Sequence, residues 1–403
     1  MSFFYSFTHP LKRFLGREEN QFLLSMSIRS FAMGMVLIFE PIYIYLHFGE
    51  SLSLTLIFFA LIHGIYGILT VIGGKIMAKI GYDWSMLISH FFFLGYYILL
   101  SVINFSFFII PLAIILKAFG MSLFWPSYHT SFTRFSKDGQ RGKYVSKKLF
   151  TCIAPSVLGP VVGGIILTEF NYTFLFCSVL VFLLISALPL FLKREQKEVY
   201  SDGYKKAWGR IFKKENRKYS IGFAFASLEA GVNNYLWPLF MLILGIKYLS
   251  MGGITSFAIF LSAILALYAG KVSDSFKRVK LLNVGSFLTS VSWVLKCFVF
   301  NPLTAFLVHS SYKVFLYLAV VPFQTFFYEK AALEGDFADE FIISREITIN
   351  IFKFIFLSSL AGIFFFFPNI YFAFLLAAIA SLGFMILGKP SKAFKKNNDV
   401  NKN

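Results

Sequence analysis

Charge is scarce in this 403-residue chain: Asp, Glu, Lys and Arg make up 14% of it, where a soluble domain carries about a quarter. Apolar residues reach 57%, so too little polar surface exists to face water on all sides. Cysteine is also sparse. Cys152, Cys177 and Cys297 lie far apart inside apolar runs, which excludes a disulfide framework or a metal-ligand pattern. No Walker loop, dinucleotide fingerprint, nucleophile elbow or zinc-spaced cluster is present, so no cofactor, no metal site and no catalytic residues are expected, and ATP-driven pumping by this chain is not expected either. Ten-residue alternating patterns are missing, which excludes a spanning β-barrel. The first twenty residues hold no long apolar run before Lys12, Arg13, Arg17, Glu18 and Glu19. They do not read as a cleaved signal peptide, and the first span, from Gln21, is expected to serve as an uncleaved insertion signal.

What is present is a series of long apolar runs. At roughly 20 residues per crossing, the chain has room for about a dozen. Twelve spans are expected near 21–46, 51–74, 84–103, 106–132, 146–168, 171–192, 219–246, 250–270, 281–300, 302–328, 342–366 and 369–388. The formal net charge of +18 would suggest nucleic acid in a soluble protein. Here the cations lie between apolar runs, so they report topology instead. Of the 38 Lys and Arg residues, 32 fall on alternate connections and the termini, ten of them in the central loop. The opposite connections, around Gly49, Asn104, Asn171, Asn301 and Pro368, hold none, with Lys247 alone at a span end. The positive-inside rule then places both termini and the central loop in the cytoplasm, with the chain in the plasma membrane. The polar stretch Lys193–Lys218 reads as a linker whose Trp208, Ile211 and Phe212 form a short amphipathic helix on the anionic leaflet.

The chain repeats itself. Gly34 and Pro41 match Gly231 and Pro238 at an offset of 197; Gly74-Lys75-Ile76 matches Gly270-Lys271-Val272 at 196; Lys117 and Pro126 match Lys313 and Pro322, again at 196. Three coincidences at nearly one offset predict two six-helix halves, as in transporters whose site lies between parallel repeats. The expected fold is therefore an all-α membrane protein of twelve transmembrane helices in two pseudo-symmetric halves. Residues 1–192 form the first, 193–218 a cytoplasmic linker, 219–388 the second and 389–403 a cytoplasmic tail.

In these motifs the sequence resembles the major facilitator superfamily over almost its whole length. Gly74-Lys75-Ile76-Met77-Ala78-Lys79-Ile80-Gly81 is similar to that family's loop between helices 2 and 3, with Ala78 where the family carries Asp. The second copy, Gly270-Lys271-Val272-Ser273-Asp274, keeps the Asp but departs at Ser275 and Lys277. The resemblance implies a gating role for Gly74, Lys79, Gly81, Gly270 and Asp274, and Arg141 in the 4–5 loop also fits. Lys117-Ala118-Phe119-Gly120 with Pro126 resembles the helix-4 motif, Lys standing for the usual Arg. Gly159, Pro160, Gly163 and Gly164 resemble the helix-5 motif prominent among drug/proton antiporters, with Pro155 at an expected Gly.

The ionisable residues inside the spans carry the functional argument. A charge facing lipid at the bilayer centre costs ~3 kcal/mol or more, so such groups must face a partner or water. Arg29 and Glu40 fall on span 1, Lys117 on span 4, Glu229 on span 7 and Lys313 on span 10; the resemblance implies that these four helices line a central cavity. At about 1.5 Å per residue, Lys117, Glu229 and Lys313 lie near the midplane. Glu229–Lys313 and Glu40–Lys117 are the expected pairs if these groups are only structural. If they are functional, three cations against two acids suggest an anionic substrate or a proton moving between Glu and Lys. Asn233, one turn beyond Glu229, is expected to line the same site. Lys247 and Lys296 are expected to snorkel to the far interface, and His63, His90, His129 and His309 to serve as hydrogen-bonded packing residues and not as relays. The expected function is that of a monomeric secondary transporter of a small organic solute, working by alternating access as a proton-coupled exporter and not as an enzyme. Uptake or uniport of an anionic metabolite, or a non-transporting protein of the same fold, are the alternatives. The expected partners are the solute, a coupling proton and the lipid bilayer, with no nucleic acid.

Overall fold

The computed structural model describes residues 18–135, 150–151, 154–192, 200–273 and 278–388. These form fifteen α-helices: α1 Glu18–Val36, α2 Phe39–His47, α3 Leu52–Ile80, α4 Tyr82–Ser101, α5 Ile109–Phe135, α6 Leu158–Glu169, α7 Tyr172–Ala187, α8 Tyr204–Phe212, α9 Arg217–Gly231, α10 Trp237–Ile243, α11 Tyr248–Ser273, α12 Arg278–Lys296, α13 Pro302–Leu333, α14 Ala338–Phe366 and α15 Ile370–Leu382. Among the described residues, nine helical segments are long and apolar enough to cross a membrane. The expected fifth, seventh and ninth spans fall outside that set. Ala154–Glu169 is short, α9–α10 carries Arg217, Lys218 and Glu229, and α12 carries Arg278, Lys280 and Lys296.

Local chemistry accounts for the helix ends. On the connections without Lys or Arg, short polar side chains accept from the exposed N–H groups of the next helix. Ser51 caps α3, Asn171 caps α7, Asn369 caps α15, and Asn301 forms a capping box with Thr304 at the head of α13. Such caps are worth about 1 kcal/mol each. Gly81 ends α3 at φ +86° and admits the chain directly into α4. Gly74 lies inside α3 instead of ending it, so the expected span 51–74 continues to Ile80.

Two helices are interrupted, each beside a proline. Pro41 has no N–H to offer Leu37 and its ring crowds that carbonyl, so a turn at residues 37–38 separates α1 from α2. Pro238 acts likewise: Val232–Leu236 forms a π-helical turn between α9 and α10.

Packing follows a regular pattern. α1 lies on α6 and α7, α3 on α5, and α4 on both α5 and α7. α9 lies on α14 and α15, α11 on α13, and α12 on both α13 and α15. Between these groups α3 runs along α14 and α6 along α11. Glycine permits both crossings: a Cβ on Gly64 or Gly67 would fall 2.9 Å from Phe354 or Ile351 of α14, and one on Gly164 would fall 2.7 Å from the Tyr248 carbonyl of α11.

The linker helix α8 departs from expectation. It does not simply rest on a leaflet. Tyr200, Ala207 and Ile211 form a small core with Val71 of α3 and Ile343 and Ile347 of α14. The Tyr204 hydroxyl donates to the Ile68 carbonyl at 3.1 Å, and Arg210 pairs with Asp202. The linker therefore straps α3 to α14 at the end of the bundle that carries the basic connections.

Candidate functional site

Three polar clusters lie inside the bundle. The first is built around Glu40, which the turn before Pro41 places at the head of α2. Its carboxylate is paired with Lys117 of α5 and accepts from the hydroxyls of Tyr96 at 3.0 Å and Tyr97 at 3.3 Å, both on α4. The Lys117 ammonium also lies 4.4 Å from the Tyr96 ring centre. Arg29 does not join this pair. Its guanidinium sits 3.8 Å from the Phe124 ring centre and 4.5 Å from that of Phe93, with one terminal nitrogen unpartnered among the described residues.

The second cluster repeats the plan with different residues. Glu229, at the end of α9 before the π turn, is 3% exposed. It accepts from the Trp293 indole N–H of α12 at 3.0 Å and from the Tyr312 hydroxyl of α13 at 2.5 Å. Its expected partner does not reach it: no ion pair joins Glu229 and Lys313 among the described residues, and the Lys313 ammonium stands 5.6 Å from the Tyr312 ring centre. Lys296, expected at the interface, is fully buried. Its ammonium lies 3.6 Å from the ring centres of both Trp293 and Tyr312 and 4.4 Å from that of Trp237. The three aromatic faces offset part of the cost of burying its charge. Lys247 is exposed, as expected.

The third cluster joins the two groups of helices. His63 of α3 donates through Nδ1 to Asn350 of α14 at 2.6 Å and accepts through Nε2 from Tyr235 of the π turn at 2.7 Å. Tyr66 of α3 donates to Glu346 of α14 at 2.6 Å. Glu346 also pairs with Arg345, which donates to His129 of α5 at 3.0 Å. That bond makes His129 Nε2 an acceptor and leaves Nδ1–H to meet the Tyr328 hydroxyl of α13 at 2.7 Å. Thr130 donates to Asp339 at 2.9 Å. His63 and His129 are thus buried, hydrogen-bonded residues between helices, as expected, and His90 is bonded to the Met86 carbonyl and Ser186. Lys353 is buried on α14 within electrostatic reach of Glu346 and Glu229.

Asn233 lies in the π turn, where its amide donates to Asn234 at 2.9 Å and its carbonyl oxygen has no partner among the described residues. Gly159, Pro160, Gly163 and Gly164 give α6 two close faces. A Cβ on Gly159 would fall 2.6 Å from the backbone of Gly34 in α1, and Gly252 of α11 sits directly against the Pro160 carbonyl. Gly163 packs on the Met35 carbonyl. Gly74 lies under Ile343 of α14 and Tyr200 of the linker, Lys79 is exposed, and Gly270 is buried near the end of α11. Arg141, Asp274 and residues 193–199 lie outside the described residues.

The sequence reasoning missed Tyr96, Tyr97, Trp293, Tyr312, Arg345 and Asn350, and it misplaced Lys296. One signal was available. At the offset of 196 Tyr97 falls on Trp293, so corresponding helices present a buried donor to a carboxylate in each copy.

The family profile described as Major Facilitator Superfamily matches residues 22–335. No curated protein matches the sequence. Among solved structures, the human organic anion transporter MFSD10 (TETRAN) superposes with a TM-score of 0.70 at 10% identity, covering 94% of this chain and 100% of its own. A variant of the E. coli fucose:proton symporter FucP superposes with a TM-score of 0.63 at 13% identity, covering 91% of this chain and 97% of its own. At such identities the likeness is one of fold.

Proposed function

The chain belongs to the major facilitator superfamily, and from that membership we propose that it is a secondary active transporter moving a small organic solute by alternating access. In this reading twelve spans form two halves, 1–192 and 219–388, that rock about a seam containing α3, α14, α6 and α11. The paired packing supports it: the contacts of α1, α3 and α4 with α5, α6 and α7 correspond to those of α9, α11 and α12 with α13, α14 and α15, and α3–α14 corresponds to α11–α6. Both termini and the linker face the cytoplasm, and the chain acts as a monomer in the plasma membrane.

The observation that carries the reading is the duplicated acid site. In each half the first span is broken beside a proline and a buried carboxylate lies close to the break, Glu40 after it and Glu229 before it, so the two acids are not at repeat-equivalent positions; each is held by donors from the third and fourth spans of its half. Discontinuous helices with ionisable groups at mid-depth are what a solute and ion pathway between repeats requires. As the buried carboxylates beside the broken spans, Glu40 and Glu229 are assigned to coupling. The solute is anionic in this proposal. Away from the basic end, Arg29, Lys117, Lys296, Lys313 and Lys353 outnumber Glu40 and Glu229 inside the spans, and the human structural neighbour is an organic anion transporter. Asn233 and Lys313 contact the solute, while Gly74, Lys79, Gly81, Gly270, Asp274 and Arg141 serve the gate. The α6 glycines, which resemble the antiporter motif, support export.

The test uses purified protein in vesicles loaded with a pH-sensitive dye. A panel of organic anions, sugars and amphipathic cations is added outside, and internal pH is followed. At least one class should drive a pH change that Glu229→Gln abolishes. A Glu229→Gln protein that couples as the parent does would remove Glu229 from the mechanism.

A further inference from the structure

The flank of the second helix group holds a groove that the acid sites do not use. α9 lines it at every third or fourth position from Arg217 to Leu228, the spacing of a single helix face, and Phe352 of α14 lines its other side. Ile211 and Phe212, the last residues of α8, border it near Ser220, whose hydroxyl donates to the Ile211 carbonyl at 2.9 Å. The groove holds about 610 Å³, a ligand-sized space. The α9 residues that line it rise about 16 Å, the depth of one leaflet in a hydrocarbon core roughly 30 Å thick. It opens sideways from the bundle: Ile221, Phe352 and Phe212 are 37%, 40% and 78% exposed. Its chemistry is graded along its length. From Ile221 to Leu228 the α9 lining is wholly apolar. At the basic end Lys213, Lys214 and Arg217 are exposed against Glu215 alone, and no ion pair takes up any of the four among the described residues.

We propose that this groove is a binding site for one anionic phospholipid of the cytoplasmic leaflet. Its phosphate is held by Lys213, Lys214 and Arg217, and one acyl chain lies along α9 as far as Leu228. Charge complementarity selects this occupant. A cationic mouth at the basic end faces the leaflet that carries anionic headgroups, and the apolar length beyond it suits a hydrocarbon chain and not a hydrated solute. A segment of the chain itself is a poor match, because the 389–403 tail carries five Lys against Asp399 alone and would be repelled by the same mouth. The site is also preformed: the Asn216 amide donates to the Arg210 carbonyl at 3.1 Å, which with the Ser220 bond fixes the corner between α8 and α9. A lipid held there has a structural consequence. It covers Phe212 and backs Ile211, and Ile211 belongs to the small core with Val71, Ile343 and Ile347 that binds α8 to α3 and α14. Lipid occupancy therefore steadies the strap. The inference goes beyond the transport reading and stands or falls without it.

The test needs no solute. The full chain is purified in detergent, and its thermal unfolding is followed with added dioleoylphosphatidylglycerol, dioleoylphosphatidylcholine or inorganic phosphate, while native mass spectrometry counts the lipid retained. Phosphatidylglycerol should raise the unfolding midpoint by mass action more than phosphatidylcholine does, with one molecule retained most tightly, and inorganic phosphate should do nothing. In the triple variant Lys213→Gln/Lys214→Gln/Arg217→Gln the affinity for phosphatidylglycerol should fall about tenfold or more, to the level of phosphatidylcholine. Ala224→Phe, which fills the groove, should abolish the effect of both lipids. Lys247→Gln, exposed at the opposite end, should change nothing. Equal shifts from the two lipids in the parent would mean unselective solvation by lipid, and a shift from phosphate alone would mean a free-anion site; either overturns the proposal. So does a phosphatidylglycerol advantage that survives the triple variant or Ala224→Phe. Should Ala224→Phe fail to fold, the triple variant decides, since its three side chains are exposed and outside any ion pair.

Discussion

At the scale of the residue, the interior charges are tolerable only because each has a specific neighbour. Lys117 and Glu40 are the clearest case, since both side chains are almost wholly buried. Lys117→Met would leave Glu40 with two phenols and no cation. A loss of ~3–5 kcal/mol is expected, read from a denaturant titration in detergent, with most of it recovered in the Lys117→Met/Glu40→Leu double variant. Equal stability of the single variant and the parent would mean that the two tyrosines suffice. The sequence made Glu40, Lys117 and Glu229 legible because a charge inside an apolar run stands out. It did not reveal Trp293 or Tyr312, since 20% of the chain is aromatic and nothing local marks a ring that donates from one that packs. Lys296 was misplaced for a related reason. Its position near a helix end suggested an exit to water, and the aromatic box that holds it comes from three different helices.

At the scale of the element, glycine decides which helices meet. Gly252 and Gly253 make the point as adjacent residues of α11. The first lies against the Pro160 carbonyl of α6, and the second has open space where a side chain would be. Gly252→Val should therefore cost ~1–3 kcal/mol by overpacking and slow any movement of α6 on α11. Gly253→Val should leave both stability and transport unchanged, and thermal melts of the two variants check this directly. The long helices were readable from hydropathy, and their observed ends fall within a few residues of expectation at the uncharged connections. At the basic end α3 and α13 overrun by about a turn or more, to Ile80 and Leu333. A helix leaving an apolar layer need not stop there, and the sequence holds no breaker until Gly81 or Gly335. The two proline breaks were marked by Pro41 and Pro238. That one would produce a turn and the other a π segment was not.

At the scale of the whole molecule, the basic end is closed by polar bonds. Tyr66, His129 and Thr130 face Glu346, Arg345 and Asp339 across the α3–α5–α14 junction. A hydrogen bond to a charged group is worth about 1.5–3 kcal/mol, so Glu346→Gln should open this end about tenfold more often. The measurement is maleimide labelling of Ser344→Cys in a chain whose own cysteines are replaced by serine. An unchanged labelling rate would assign the closure to apolar packing instead. The strap formed by Tyr200 and α8 bears on the same junction, because it belongs by sequence to the later part of the chain yet grips Val71 and the Ile68 carbonyl of the earlier part. Covalent continuity between residues 192 and 200 is then not what keeps the molecule whole. Two separately translated fragments, 1–196 and 197–403, should find each other in the bilayer and copurify, and shortening the second to begin after Phe212 should weaken their association without abolishing it, because α3 still packs on α14 and α6 on α11.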